Sequence, residues 1–171
     1  LLLLLTKPLI REINRIPYNT TLFLALDDTV SMAYPVQPEV KEIDSKEPSR
    51  WETVQKSLQN EEILDEWSSA GFDVRFGLFS ELSRTNTQSS FWSSQIPSFA
   101  SPDFSYTDLS AAINVFQQGS DPESSAYLLL FTDGQWNRGK NPIANVSTIF
   151  SASDSSINPL THRIYSFGIG T

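Results

Sequence analysis

Thr21 opens the run Leu22-Phe23-Leu24-Ala25-Leu26, which is apolar without interruption and stops abruptly at Asp27-Asp28. An amphipathic helix would break such a run with polar residues, and a half-exposed strand would alternate. The pattern predicts a strand buried on both faces, as in a parallel sheet. Ala126 to Thr132 repeats it (Ala-Tyr-Leu-Leu-Leu-Phe-Thr) and stops at Asp133-Gly134. Parallel strands cannot be joined by tight hairpins and need crossover segments, usually helices. The expected architecture is therefore α/β in three layers, with a mainly parallel central sheet and helices on both faces.

The crossovers can be placed along the chain. Tyr34 to Pro48 contains three prolines and mixed charges, and reads as loop. Ser49, with Glu52 three residues on, predicts a capping box for a helix from Arg50 to Ala70, closed by Gly71. Trp51, Val54, Leu58, Ile63, Leu64 and Trp67 form its apolar stripe. Asp73 to Ser80 alternates like a strand with one wetter face. Residues 83 to 105, rich in Ser, Thr and Gln, read as an irregular connection with at most a short strand. Thr107-Asp108-Leu109 opens a helix to about Gln118, and a further helix is expected over Ile143 to Ser151. His162 to Ile169 supplies the last strand. No internal repeat is present, and a chain of 171 residues is expected to form one domain with a short appendage.

Composition narrows the chemistry. The chain has no cysteine and a single histidine, His162, which excludes thiolate metal sites and leaves at most one imidazole for zinc or for a Ser-His-Asp triad. Twenty acidic against twelve basic residues give a net charge of -8, a poor match to nucleic acid, whose affinity rests on Lys and Arg. Functional sites of open α/β sheets lie beyond the carboxyl ends of the strands. There this sequence places Asp27, Asp28, Thr29 and Ser31 after the first strand, Asp133 after another, and Thr107 at a helix start. An oxygen-only set of this kind suits a hard cation such as Mg²⁺ or Mn²⁺ better than zinc.

These motifs, in this order on these elements, resemble the von Willebrand factor A (vWA) domain and its metal-ion-dependent adhesion site. The resemblance rests on Asp27-x-Thr29-x-Ser31, Thr107 and Asp133-Gly134. It also draws on Arg50-Trp51, the Phe-Gly-Leu-Phe-Ser strand and the closing Tyr165 to Gly170, and it covers residues 20 to 171. It implies a Rossmann-like fold and five metal-site residues: Asp27, Thr29, Ser31, Thr107 and Asp133. The cation would be Mg²⁺, or Mn²⁺ or Ca²⁺. The function implied is non-enzymatic protein–protein interaction, in which a partner supplies an Asp or Glu carboxylate to the metal. Two residues depart from the family pattern. Val30 stands where the family commonly has glycine, and Asp28 adds a negative charge beside Asp27.

Residues 1 to 19 form a separate N-terminal segment. Leu1 to Leu5 is apolar and is followed by Lys7, Arg11 and Arg15. Five residues are far fewer than the roughly 20 a spanning helix needs. The segment reads as the tail of a transmembrane helix, and the layout resembles bacterial membrane-anchored vWA proteins. That likeness implies membrane association through segments outside this chain and an extracytoplasmic, periplasmic domain, which the lack of cysteine also favours, whereas Lys7, Arg11 and Arg15 beside a membrane tail favour the cytoplasmic face. The helix that normally closes such a domain is missing after the last strand, so a fragment of a longer chain is expected. Two other functions compete with the adhesion reading, the first a haloacid dehalogenase-like phosphatase or another Mg²⁺-dependent enzyme. A haloacid dehalogenase-like phosphatase would align Asp27-Asp28-Thr29-Val30 with its first motif, but Ala25 then stands where the carboxylate nucleophile must be. A vWA domain with a purely structural metal is the second.

Overall fold

The computed structural model describes residues 20–36, 48–83, 91–98, 102, 104–151 and 161–169. Four strands, β1 (Thr20–Leu26), β2 (Phe72–Leu78), β3 (Ala126–Thr132) and β4 (His162–Gly168), form one sheet in the order β2-β1-β3-β4. All three pairings are parallel. Thr20 to Leu26 lie beside Phe72 to Leu78, Thr21 to Leu26 beside Ala126 to Phe131, and Ala126 to Thr132 beside His162 to Gly168. The chain moves from β1 to one side and then returns to the other, so the sheet's switch point lies between the carboxyl ends of β1 and β3. Asp27 and Asp133 follow those two strands.

Side chains alternate across β1 and build a core on each face. Leu22, Leu24 and Leu26 pack with Phe76, Met32 and the stripe Trp51, Val54 and Leu58 of helix α1 (Arg50–Leu58). Phe23 and Ala25 face the other way, onto Ala112, Ile113 and Phe116 of helix α4 (Leu109–Gly119), with Leu128, Leu130 and Trp92. Each fully buried Leu or Phe contributes about 1.5–3 kcal/mol relative to exposure, so both faces of β1 hold the domain together. The α/β, three-layer reading holds.

Several local expectations are corrected. The single helix over residues 50–70 is two, α1 and α2 (Glu61–Ser69). Asn60 interrupts it: its backbone is extended, and its side chain caps α2 by accepting the Glu62 N–H. Asn competes for nearby backbone groups in this way and favours caps over helix interiors. The Ser49–Glu52 capping box is present in both directions, and Gly71 ends α2 with a φ of 88°. Phe79-Ser80 does not continue β2. It starts the helical turn α3 (Phe79–Leu82), because the Asp28 carboxylate accepts both the Ser80 N–H (2.8 Å) and its hydroxyl (2.5 Å).

β3 is not buried throughout. Ala126, Leu128, Leu130 and Thr132 are buried, whereas Tyr127, Leu129 and Phe131 on its other face are only half-buried. They lie beside Tyr165 and Phe167 of β4, which are exposed at the sheet edge; Phe131 stacks on Phe167 at 5.1 Å. Within 83 to 105 the expected short strand reduces to a two-bond bridge between Ser93 and Phe76, with Trp92 buried beside it, edge-on to Phe23. Helix α5 spans Pro142–Ser151. His162 is buried at the start of β4, at the opposite end of the sheet from Asp27, with Nδ1 3.0 Å from the Thr161 hydroxyl. Among the described residues no helix is long and apolar enough to cross a membrane. The readings of residues 1 to 19 lie outside the described residues.

Candidate metal centre

β1 hands its pairing directly to the site. The Asp27 N–H donates to the Phe131 carbonyl (2.9 Å), so the backbone is still held to β3 as the Asp27 side chain turns into the interior, fully buried. Its Oδ1 accepts the Thr29 N–H (3.1 Å) and hydroxyl (2.5 Å), and its Oδ2 accepts the Thr132 hydroxyl (2.6 Å). Thr29 is extended, with φ -81° and ψ 159°. After it the chain enters a single 3₁₀ turn, Val30–Ala33, which carries the Ser31 hydroxyl to 3.0 Å from that of Thr29. Because the turn is helical, Val30 serves where the family pattern suggested glycine, without needing its conformational freedom.

Thr107 arrives from the segment before α4. Its hydroxyl donates to that of Thr29 at 3.2 Å, and the loop after β3 holds its backbone. The Asn137 side chain accepts the Thr107 N–H at 2.9 Å, while the Thr107 carbonyl accepts the N–H groups of Asn137 and Arg138. Phe104, just upstream, accepts the Val30 N–H at 2.9 Å. The neighbouring Asp108 is a helix cap: its Oδ1 accepts the Ala111 N–H and the Ser110 hydroxyl. Gly139, at φ 82°, lets the loop after β3 pass so close to Asp108 that any side chain there would collide with it.

Asp133 joins the group indirectly. Its Oδ2 pairs with the Arg50 guanidinium at 2.9 Å, and its Oδ1 accepts the Gln135 N–H at 3.0 Å. The same Arg50 nitrogen reaches toward the Ser31 carbonyl at 3.5 Å. Four of the five expected residues, Asp27, Thr29, Ser31 and Thr107, are thus linked side chain to side chain, and Asp133 is coupled to them through Arg50. Burial pushes the Asp27 carboxyl above its ordinary range. The bonds from Thr132 and Thr29 pull it back, and the charge of Asp133 adds to the rise.

Arg50, Thr132 and Asn137 were not among the site residues expected from sequence. Thr132 had a signal, since the last residue of a buried strand precedes Asp133 directly. Arg50-Trp51 was part of the family resemblance but carried no sign of a place at the site, and Asn137 had no signal, because only the folded chain brings positions so far apart in sequence together.

The donor set fits a hard cation. A carboxylate held in a desolvated place disfavours its own charge, and a cation beside it would reverse that. Cis oxygens of an octahedral ion at about 2.1 Å stand roughly 3 Å apart, and the hydroxyl spacings around Thr29 are 3.0 and 3.2 Å. Among the described residues no group of three or more His, Cys, Asp or Glu gathers to hold a metal. Any cation here would therefore depend on the hydroxyls as well as the two carboxylates. Thr29, Ser31 and Thr107 also line an open cavity of about 170 Å³, walled by Val30, Tyr34 and Asn137. At about 30 Å³ per water, it admits a hydrated ion or a carboxylate side chain. Tyr34, Tyr106 and Trp136 are exposed nearby on the same loops, and Arg138 lies over the Tyr106 ring at 4.7 Å. No protein-family model matches this chain, and neither does any curated protein.

Proposed function

We propose that the chain is a vWA-type interaction module that binds a divalent hard cation, Mg²⁺ first, through Asp27, Thr29, Ser31, Thr107 and Asp133. Such a cation would supply a Lewis-acidic position for an anionic oxygen, so the expected partner is a protein presenting an Asp or Glu carboxylate. One observation carries the reading. The hydroxyls of Ser31 and Thr107, from two separate loops, lie 3.0 and 3.2 Å from that of Thr29, beside a fully buried carboxylate, at the sheet's switch point. Hydroxyls alone would not need so buried a carboxylate, and a structural turn would not need hydroxyls from both loops.

The remaining residues have supporting tasks. Thr132 orients Asp27, Asn137 fixes Thr107, and the exposed Tyr34, Tyr106 and Trp136 offer aromatic contacts for the rest of a partner surface. The phosphatase alternative gains no support, since Ala25 is packed in the core against the α4 face. The apolar and basic character of residues 1 to 19 supports membrane attachment. The lack of cysteine and the likeness to membrane-anchored vWA proteins favour an extracytoplasmic domain, against the cytoplasmic side that Lys7, Arg11 and Arg15 favour.

The test is thermal unfolding with Mg²⁺ or Mn²⁺ against chelator. Binding to the folded state alone raises Tm by mass action, about 2.7 kcal/mol at a hundredfold excess over Kd. Asp27→Ala and Asp133→Ala should each remove the shift. A full shift retained in both variants would refute the assignment.

A further inference from the structure

Arg50 stands in a place that local rules disfavour. It is the first residue of α1, where the helix dipole is unfavourable to a cation. Its side chain is only 14% exposed, and among the described residues its buried Nε has no hydrogen-bond partner. Yet it is held firmly. Its N–H donates to the Tyr34 carbonyl at 3.0 Å, Ser49 bridges to Pro35, and the capping box fixes the turn. A residue that breaks two local rules and is still clamped marks a functional demand. Here the demand is visible: the guanidinium covers Asp133 Oδ2 and points at the Ser31 carbonyl, both on residues of the candidate centre.

We propose that Arg50 is a built-in counter-cation that competes with the divalent ion for this centre. This rests on the cation-binding reading above. The network holds two carboxylates, Asp27 and Asp133, against one guanidinium. Without Arg50 the centre would carry twice the net negative charge. With it, Asp133 is neutralised and ordered in the cation-free protein, and an arriving dication meets a fixed positive charge at Asp133. The chain thereby trades cation affinity for a centre that stays folded when the cation is absent.

The two effects of Arg50 have opposite signs, which makes them separable. Mg²⁺ and Mn²⁺ affinities would be measured by calorimetric titration, and Tm in chelator, for wild type, Arg50→Gln, Arg50→Lys and Lys56→Gln. Arg50→Gln should lower Tm in chelator, because the Asp133 carboxylate loses its partner. It should also bind the dication roughly tenfold more tightly, the effect of one charge on a dication a few ångströms away even under water-like screening. Arg50→Lys should return affinity toward wild type. Lys56→Gln removes a charge from the last turn of the same helix, away from the centre, and should change neither. A wild type that binds the cation and an Arg50→Gln that binds equally or more weakly would overturn the inference and leave the cation reading standing. Absence of binding in all four proteins would overturn both. Binding gained only in Arg50→Gln would support the inference.

Discussion

Thr132→Val isolates the bond that orients the buried carboxylate. The Thr132 hydroxyl, 1% exposed, donates to Asp27 Oδ2 at 2.6 Å and accepts the Gly134 N–H at 3.1 Å. Valine keeps the shape and removes both bonds. A hydrogen bond to a charged group is worth about 1.5–3 kcal/mol, and a neutral one about 1 kcal/mol. Gly134 is exposed, so its N–H can turn to water and adds little. The expected loss is about 1.5–3 kcal/mol in chelator near neutral pH, which for a chain of this size lowers Tm by roughly 3–12 °C.

The pH dependence sharpens the expectation. The folded-state pKa of Asp27 is raised above its unfolded value. Between those two values the folded state binds more protons, so the Asp27 contribution to stability falls as pH rises through that window. The full penalty is present above the raised pKa and has vanished below the ordinary carboxylate range. The Thr132 bond favours charged Asp27, so the cost of Thr132→Val should be largest above the raised pKa and shrink on acidification. Urea unfolding of both proteins in chelator, stepped from about pH 7.5 down to about 4.5, reads this difference, and other carboxylates cancel in the comparison. A cost below about 0.5 kcal/mol, or one that grows on acidification, would refute the reasoning.

Thr107→Ala should weaken Mg²⁺ binding several-fold in calorimetric titration while changing Tm in chelator by only a few degrees, since it removes a hydroxyl at a helix start and little core volume. Purified protein should show no metal-dependent turnover of phosphate esters, nucleotides or acyl esters; turnover lost in Asp27→Asn would move the assignment to an enzyme.

What the sequence made legible follows from range of interaction. The apolar runs of β1 and β3 and the Ser49–Glu52 box are local, and each was readable from a few adjacent residues. The break at Asn60 was missed because the apolar stripe continues across it, and a side chain that caps only two residues away outweighed the periodicity. The half-exposure of Tyr127, Leu129 and Phe131 was invisible for a different reason. Apolar character states that a strand can be buried on both faces, whereas which helices cover it depends on where α1 and α2 land, over the β1–β2 side.

The centre divides along the same line. Asp27, Thr29 and Ser31 lie two residues apart, so an extended step and one 3₁₀ turn suffice to assemble them. Thr107 needs the segment 104–108 pinned between Val30 and Asn137, a long-range arrangement that strand ends only suggest. Arg50 lies 83 residues from the carboxylate it covers, and its local setting argues against a cation there. That mismatch is informative in itself. Where short-range chemistry and the fold agree, as at the Asp27–Thr29 turn, sequence is enough to place a group. Where they conflict, as at the first residue of α1, the conflict identifies a residue whose presence only a distant charge explains.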